Sequence, residues 1–576
     1  MIITSWGARL PLILLAAVIG YFTYLGFAPY YNSVVLYIGL FFYIFFLQFK
    51  ASAKRASYLF VYVWDVAFSY ATLNWLNDAV NYFGELPFGV SQLLVLGVSM
   101  TLGLRSVILA ALWNARGKYF VFLPLLYSGV TYLWYNLVAN FSWLNLAYAN
   151  INQLGVTLAP IGGTYLVQFF QFALATFIYA LVHRLVISRQ QPMVMSLRRR
   201  TIDRQIRVAW RTDFIALLIL VGGYVASFFV TFQFTKATGP AITTALVQPN
   251  FLSRDRQQLQ NQPLMVNRYE NLITQTLNDH SITHTPKLWI LPEAALMSFY
   301  SLDKDPRYAS SPYVAPTLSY LERIYNPIYQ TGGDLVLGIL AVASKEQQIQ
   351  YYNTALVLSE PSAMVGAVHA PNHLETLNEN QQMLVQVYNK QHLVPFGEYV
   401  PFAWLFQYLP FDAIKEQLSS PFVQGAKYQS NLKTQFSQAA MIICYDALFA
   451  EQLIRQVKAD TGVLINISND VWFGEEQGPA QHLNIARYRS LESQRYSLRA
   501  TNNGITAIIN HKGEIVNYLP QNKASVLVGE YRNYTGETLY QKYNRLINFA
   551  LAFLFLFVVG IIRILVGIFT SNKRNV

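Results

Sequence analysis

Cysteine is all but missing: the 576 residues contain one, Cys444, so no intrachain disulfide can form. Charge is scarce too. Asp, Glu, Lys and Arg make up 12% of the chain, about half their usual share in globular domains. Acidic residues are the scarcer sign, 30 against 42 basic, and residues 140–159 carry no charge at all. No internal repeat or long low-complexity segment is present. These absences exclude a disulfide scaffold, a solenoid and an ordinary water-exposed enzyme. What fills the space is apolar: 53% hydrophobic residues, a mean hydropathy of +0.27, and 39 Tyr and 38 Phe that bring the aromatic share to 15%. Bulky and amphipathic rings are favoured where protein meets lipid. The expectation is a membrane protein.

The formal charge of +12 is not a nucleic-acid footprint. Between Lys236 and Arg545 basic and acidic residues nearly cancel, 24 against 25, so the whole excess lies among the apolar segments, where it reads as topology. Runs of about 17 to 25 apolar residues, enough to cross a bilayer as a helix, occur near 9–27, 33–49, 57–77, 90–113, 119–139, 160–187, 213–235 and 546–570. Eight spans are expected. Lys50, Lys54 and Arg55 follow the second, Arg116 and Lys118 the fourth, Arg189 and Arg198-Arg199-Arg200 the sixth, and Lys573 and Arg574 the eighth. The other loops hold almost no basic residues. Both termini are therefore expected in the cytoplasm, with the long 236–545 segment on the extracytoplasmic side. The Arg198-Arg199-Arg200 run is read as topology, with a lipid-headgroup site as the alternative. The first span is read as a retained helix. Asp65, Arg105 and Arg563 fall inside spans, and snorkelling toward a helix end is preferred for both arginines.

The domain division follows: a membrane domain at 1–235 with seven helices, a domain outside the spans at 236–545, and an eighth helix with a short tail at 546–576. Within 236–545 the pattern turns to short apolar, β-branched runs alternating with polar helical stretches, as in an α/β layered domain. Expected strands are Ala241–Val247, Leu288–Leu291, Leu335–Ile339, Tyr352–Leu358, Ala439–Ile443, Val463–Ile467, Thr506–Ile509 and Val526–Gly529. Expected helices cover 263–278, 315–330, 447–458 and 480–499, the last with Arg and Glu at surface spacings.

The residues with chemistry sit at strand ends. Cys444 ends the apolar run Met441-Ile442-Ile443 just before an expected helix, a position that favours a thiolate at a helix N-terminus; a buried structural cysteine is the alternative. Glu293 leaves the strand Leu288-Trp289-Ile290-Leu291 through Pro292, and a partly buried carboxylate makes a better base. Lys390 opens the turn-rich stretch Lys390-Gln391-His392-Leu393-Val394-Pro395-Phe396-Gly397-Glu398. Acyl chemistry needs a nucleophile, a base and a positive group for the oxyanion, and these three supply them. For Glu293 and for Lys390, a surface ion pair is the alternative.

In this order, Pro-Glu, Lys-X-His-Leu-Val-Pro-Phe-Gly-Glu and Ile-Cys-Tyr resemble the nitrilase superfamily. Together with the spans, the chain resembles the apolipoprotein N-acyltransferase family. Trp143-Leu144-Asn145-Leu146-Ala147-Tyr148, Ala159-Pro160-Ile161-Gly162-Gly163-Thr164-Tyr165, Ile467-Ser468-Asn469-Asp470-Val471-Trp472-Phe473-Gly474 and Ala500-Thr501-Asn502-Asn503-Gly504-Ile505 extend the resemblance over essentially the full length. It implies a four-layer αββα sandwich with Glu293 as base, Lys390 as oxyanion partner and Cys444 as nucleophile. It also implies transfer of an acyl chain from a phospholipid, chiefly phosphatidylethanolamine, to the cysteine as a thioester, and then to the N-terminal amine of an S-diacylglyceryl-cysteine apolipoprotein. No metal or organic cofactor is implied, and a monomer is expected.

Supporting roles carried by the resemblance fall on Glu398, Tyr445, Asp446, Asn469 and Trp472. Loop capping is the alternative for Glu398, turn-making for Asn469 and Asp470, and a structural role is preferred over a catalytic one for His482. Helix packing is preferred over a kink for Gly162-Gly163. Two departures stand out. Asp446 replaces a Glu usual in the family. Val247-Gln248-Pro249-Asn250-Phe251-Leu252 has Pro for the customary Gly, and no Lys-Trp follows, so a lipid-contacting Trp is not carried over. The competing readings are a membrane-tethered amidase or acyltransferase acting on water or another amine, and a transporter or scaffold with a degenerate domain. The motifs at 143–165 and the retained triad weigh against them.

Overall fold

The long apolar runs close into helices, since in hydrocarbon a segment must satisfy its own backbone polar groups. The computed structural model describes residues 6–49, 55–84, 87–114, 120–149, 151–152, 156–186, 213–252, 259–346, 348–360, 372–378, 381–400, 404, 422–548 and 550. The chain divides into two units, one of Met1–Asn77, Phe88–Phe232 and Tyr543–Val576, the other of Asp78–Pro87 and Gln233–Lys542.

In the first unit, helices occupy seven of the expected positions. Among the described residues four are long and apolar enough to cross a membrane: Arg9–Gly26, Phe88–Trp113, Phe120–Val138 and Val156–Leu185. Ser33–Leu47 and Asp213–Phe229 are shorter apolar helices, and Arg55–Thr72 is a helix over the third expected span. Most of the eighth expected span lies outside the described residues, as do Lys50, Lys54, Arg116, Lys118, Arg189, Arg198, Arg199, Arg200, Arg563, Lys573 and Arg574.

Two expectations in this unit are corrected. Arg105 does not snorkel: it is 3% exposed, and its Nε and Nη2 donate to Asp65 at 2.9 and 2.7 Å. Ser106 Oγ adds a 2.6 Å bond to the same carboxylate, and the guanidinium lies over the Tyr135 ring. A buried arginine with a fork-shaped acidic partner has no need to reach the interface. Gly162-Gly163 forms a kink. Gly163 adopts φ 67° and ψ −168°, a conformation essentially restricted to glycine. Trp143 is buried against Trp75, and Leu146 donates its N–H to Gln168, so the 143–148 motif is packing in this unit.

Among the described residues the second unit holds fourteen strands: β1 (Thr235–Gln248), β2 (Leu288–Ile290), β3 (Leu296–Ser301), β4 (Asp334–Lys345), β5 (Gln348–Ser359), β6 (Asn372–Asn378), β7 (Gln381–Asn389), β8 (Leu432–Lys433), β9 (Gln438–Ile443), β10 (Val463–Ser468), β11 (Tyr496–Thr501), β12 (Thr506–Ile509), β13 (Ile515–Leu519) and β14 (Ser525–Gly536). One sheet runs β14-β1-β2-β4-β5-β7-β6 with β3 beside β4; the other runs β13-β12-β11-β10-β9-β8. Each has a parallel centre, β1-β2-β4 and β9-β10-β11. Such strands are buried on both faces and read as unbroken apolar runs.

Between the sheets Leu246, Ile290, Val336 and Val357 meet Met441, Ile443, Ile465 and Leu498. The helices Gln262–Leu277 and Thr317–Tyr329 cover the outer face of the first sheet through Val266, Tyr269, Leu321 and Tyr325. The helix Gln477–Ser493 packs Leu483 and Ala486 on Ala507 and Ile509 of the second. This is the expected αββα layering.

The expected 480–499 helix is wrong at its end and in its setting. It stops at Ser493, where Gln494 turns left-handed at φ 49°, and β11 begins two residues later. With no Gly or Pro at that turn, nothing in the local sequence marked it. Its charges are not on a surface: Arg489 and Glu492 are fully buried and paired at 3.1 Å.

Candidate active site

Four strand ends converge in the second unit. Glu293 follows β2, Lys390 follows β7, Cys444 follows β9 and Asn469 follows β10. In α/β sheets this edge, outside the carboxyl ends of the strands, is where ligands are held.

The Glu293 carboxylate is 4% exposed and fully engaged. Its Oε1 accepts from Lys390 Nζ at 3.1 Å and from Asn353 Nδ2 at 2.8 Å, and its Oε2 accepts from the Asn469 backbone N–H at 2.9 Å. Asn469 therefore reaches the site through its main chain. Strand β4 passes directly beneath: a Cβ on Gly338 would sit 2.5 Å from Glu293 Cα, so only glycine lets Glu293 approach this closely.

Lys390 is buried between two carboxylates, with Glu398 Oε1 at 2.9 Å on its other side. Burial pulls the ammonium toward neutrality, but Glu293 and Glu398 outweigh it and hold Lys390 well above its ordinary value. Glu398 also accepts from Asn353 Nδ2 at 2.7 Å and from Val394 N–H at 2.8 Å. Glu398 thus contacts both the lysine and its own loop.

Cys444 is 2% exposed, with a left-handed backbone at φ 49°. Strain of about 1–3 kcal/mol at a non-glycine residue persists where the surroundings impose it. The expectation that a helix N-terminus favours the thiolate is corrected. Cys444 opens a five-residue 3-10 turn, and burial, followed by Glu293, pushes the thiol well above its ordinary value while Lys390 opposes the rise. The resting group is a neutral thiol near a carboxylate, which suits proton transfer during attack rather than a standing thiolate.

The Asp replacing the usual Glu has a defined place. Asp446 Oδ1 accepts the His392 N–H at 2.8 Å and Oδ2 the Ile443 N–H at 3.4 Å, so it ties the Lys390 loop to the cysteine strand. The His392 ring stacks on Phe449, which also meets the edge of Tyr445. Trp472 lies partly buried on the turn Asp470–Phe473. Asp470 is fully buried, bonded to Arg499 Nη2, Ser468 Oγ and His482 Nδ1 at 2.6, 2.6 and 3.0 Å. Burial raises its carboxyl, but Arg499 and His482 outweigh burial and leave it far below the usual range.

Asn353 and Arg499 were not anticipated. Asn353 bridges both carboxylates from the middle of β5, where its signal was a lone amide beside an apolar run. Arg499 was assigned to a helix surface. The motifs at 247–252 and 500–505 meet: Asn250 N–H donates to Asn502 O at 2.8 Å, and the Asn502 amide bonds both the N–H and the carbonyl of Phe251.

The carbon-nitrogen hydrolase family model matches residues 243–540, and the model for the apolipoprotein N-acyltransferase N-terminal domain matches residues 19–177. The apolipoprotein N-acyltransferase of Vibrio cholerae serotype O1 is 30% identical over 539 residues, 92% of this chain and 92% of its own. That of Haemophilus ducreyi is 28% identical over 513 residues, 87% of each. Among solved structures, an amidase from Nesterenkonia sp. aligns over 54% of this chain and 97% of its own, at 17% identity and a TM-score of 0.33. With a carbon-nitrogen hydrolase domain carrying the candidate site and relatives matched along nearly their whole length, the chain belongs to the apolipoprotein N-acyltransferase family.

Proposed function

We propose that the protein transfers an acyl chain from a phospholipid, phosphatidylethanolamine foremost, through a Cys444 thioester to the N-terminal amine of S-diacylglyceryl apolipoproteins. The observation that carries this is the buried grouping of Glu293 and Lys390, 3.1 Å apart, with the only cysteine of the chain, whose thiol both charges influence.

Attack begins as Glu293 takes the thiol proton and the sulfur bonds to the ester carbonyl carbon. The oxyanion is met by Lys390 and the backbone N–H of Tyr445, each such donor contributing about 3–4 kcal/mol. Collapse breaks the C–O bond; the lysophospholipid alkoxide takes the proton back from Glu293 and leaves. The lipoprotein ammonium then loses a proton to Glu293 and the freed amine attacks the thioester carbonyl; the C–S bond breaks, Glu293 returns its proton to the leaving thiolate, and the nitrogen gives up its remaining extra proton to water as the amide forms. Splitting one amide formation into two acyl transfers lowers each barrier. Glu398, Tyr445, Asp446, Asn469 and Trp472 support or line this site.

The basic residues that follow even-numbered apolar runs support eight spans in an inner membrane, with catalytic residues 236–545 periplasmic and both termini cytoplasmic. On this reading residues 1–235 carry seven spans, residues 546–576 the eighth, and the enzyme works as a monomer.

The test is intact mass spectrometry of the full-length protein purified in detergent with phosphatidylethanolamine. An acyl adduct is expected on the wild type and none on Cys444→Ser; an unmodified wild type overturns the reading. Glu293→Gln and Lys390→Ala should each block the adduct, and normal acylation in either removes that residue from its role.

A further inference from the structure

The imidazole of His482, carried by the helix Gln477–Ser493, is 1% exposed and touches the nucleophile's backbone rather than its thiol. Its Nε2 lies 3.2 Å from the carbonyl oxygen of Cys444. A carbonyl only accepts, so Nε2 carries the proton. The other ring nitrogen, Nδ1, lies 3.0 Å from Asp470 Oδ1 and 3.1 Å from Arg499 Nη2. Burial, then Arg499, pulls the imidazole below its ordinary value. Nδ1 thus meets both partners, and the proton on Nε2 is the one that the Cys444 carbonyl accepts.

The Cys444 carbonyl belongs to the same planar trans peptide as the Tyr445 N–H, and the two point in opposite directions. A donor that holds the carbonyl therefore aims the N–H. It also polarises the peptide and makes that N–H a stronger donor. Cys444 sits at φ 49°, where an unsupported peptide would relax.

Resting on the acyl-transfer reading, we propose that His482, oriented by Arg499 and Asp470, is a positioning residue that clamps the Cys444–Tyr445 peptide and so aims the Tyr445 N–H at the oxyanion. It takes no proton from the thiol or the amine.

Two reactions of the same thiol separate this role from a merely structural one. Acylation by phosphatidylethanolamine passes through an oxyanion, whereas alkylation by iodoacetamide displaces iodide and forms none. With one cysteine in the chain, both report on Cys444 alone. In the full-length protein in detergent, His482→Phe should slow acylation by about tenfold to a hundredfold, less than or equal to the loss of a whole oxyanion donor. Alkylation should change less than threefold. His482→Gln, whose amide can donate to the carbonyl and accept from Arg499, should keep the ratio of the two rates within about threefold of wild type. His482→Asn, one methylene too short for the carbonyl, should lower that ratio about tenfold, and serves if the Phe variant does not accumulate. An unchanged ratio in His482→Phe or His482→Asn overturns the proposal, as does a parallel loss of both reactions. Failure of the wild type itself to acylate while it still alkylates instead overturns the acyl-transfer reading on which this one rests.

Discussion

Lys390 Nζ stands 2.9 Å from Oε1 of Glu398, slightly nearer than it stands to Glu293. One ammonium is thus shared by two carboxylates, and Asn353 bridges the same two oxygens. The second carboxylate holds the ammonium from the side away from Glu293, and so fixes where Lys390 stands.

Glu398→Gln should therefore loosen Lys390 without removing it. The rate of acyl-adduct formation, followed by intact mass, is expected to fall about tenfold to a hundredfold, less than for Glu293→Gln, since general-base catalysis is worth about 10²–10⁴. A wild-type rate would reduce Glu398 to a loop cap.

The pH dependence of Cys444 alkylation follows from its raised thiol. Only the thiolate reacts, and a raised value leaves less of it at neutrality. The rate should be below that of a free cysteine at pH 7 and still climb at pH 9. Glu293→Gln removes a negative charge that disfavours the thiolate, so its profile should move toward acid while acylation is lost. A plateau below pH 8 in the wild type would contradict this electrostatic setting.

Gly338→Ala should leave the fold assembled but displace the base, because its Cβ would meet Glu293 Cα and the Pro292 carbonyl at 2.5 and 2.7 Å. A misplacement near 1 Å costs about a hundredfold in rate. Acylation kinetics and thermal unfolding measured together check it; full activity would mean the Glu293 segment yields without consequence.

Arg105→Met leaves Asp65 buried without its cation and should destabilise the helical unit by about 3–5 kcal/mol, whereas Asp65→Leu/Arg105→Met together should recover most of the loss. Thermal unfolding in detergent reads both. A single variant as stable as wild type would show that water already serves the carboxylate.

Much of the site was legible because its chemistry sits at strand ends. Glu293 and Cys444 each close an apolar run, and such runs are readable without their neighbours. Asn353 was not: it is one amide within β5, and its meaning depends on Glu293 and Glu398 arriving from other strands. Arg499 was misread for a related reason. Charges spaced three or four apart suggest a wet helix face, but here the helix ends at Ser493, and the arginine is inside a strand against Asp470.

Composition and order alone determined the membrane character, the α/β layered domain and the strand-end places of Glu293 and the lone thiol, because burial writes itself into apolar periodicity and strand ends into its interruptions; the αββα layering came from the family resemblance. Tertiary structure decided how those groups are charged and held. The neutral thiol, the shared lysine, the Arg105–Asp65 pair and the His482 contact to the Cys444 carbonyl all arise between residues distant in the chain. Electrostatics and hydrogen bonding act over a few ångströms of space, and no local pattern of residues encodes which ones will meet.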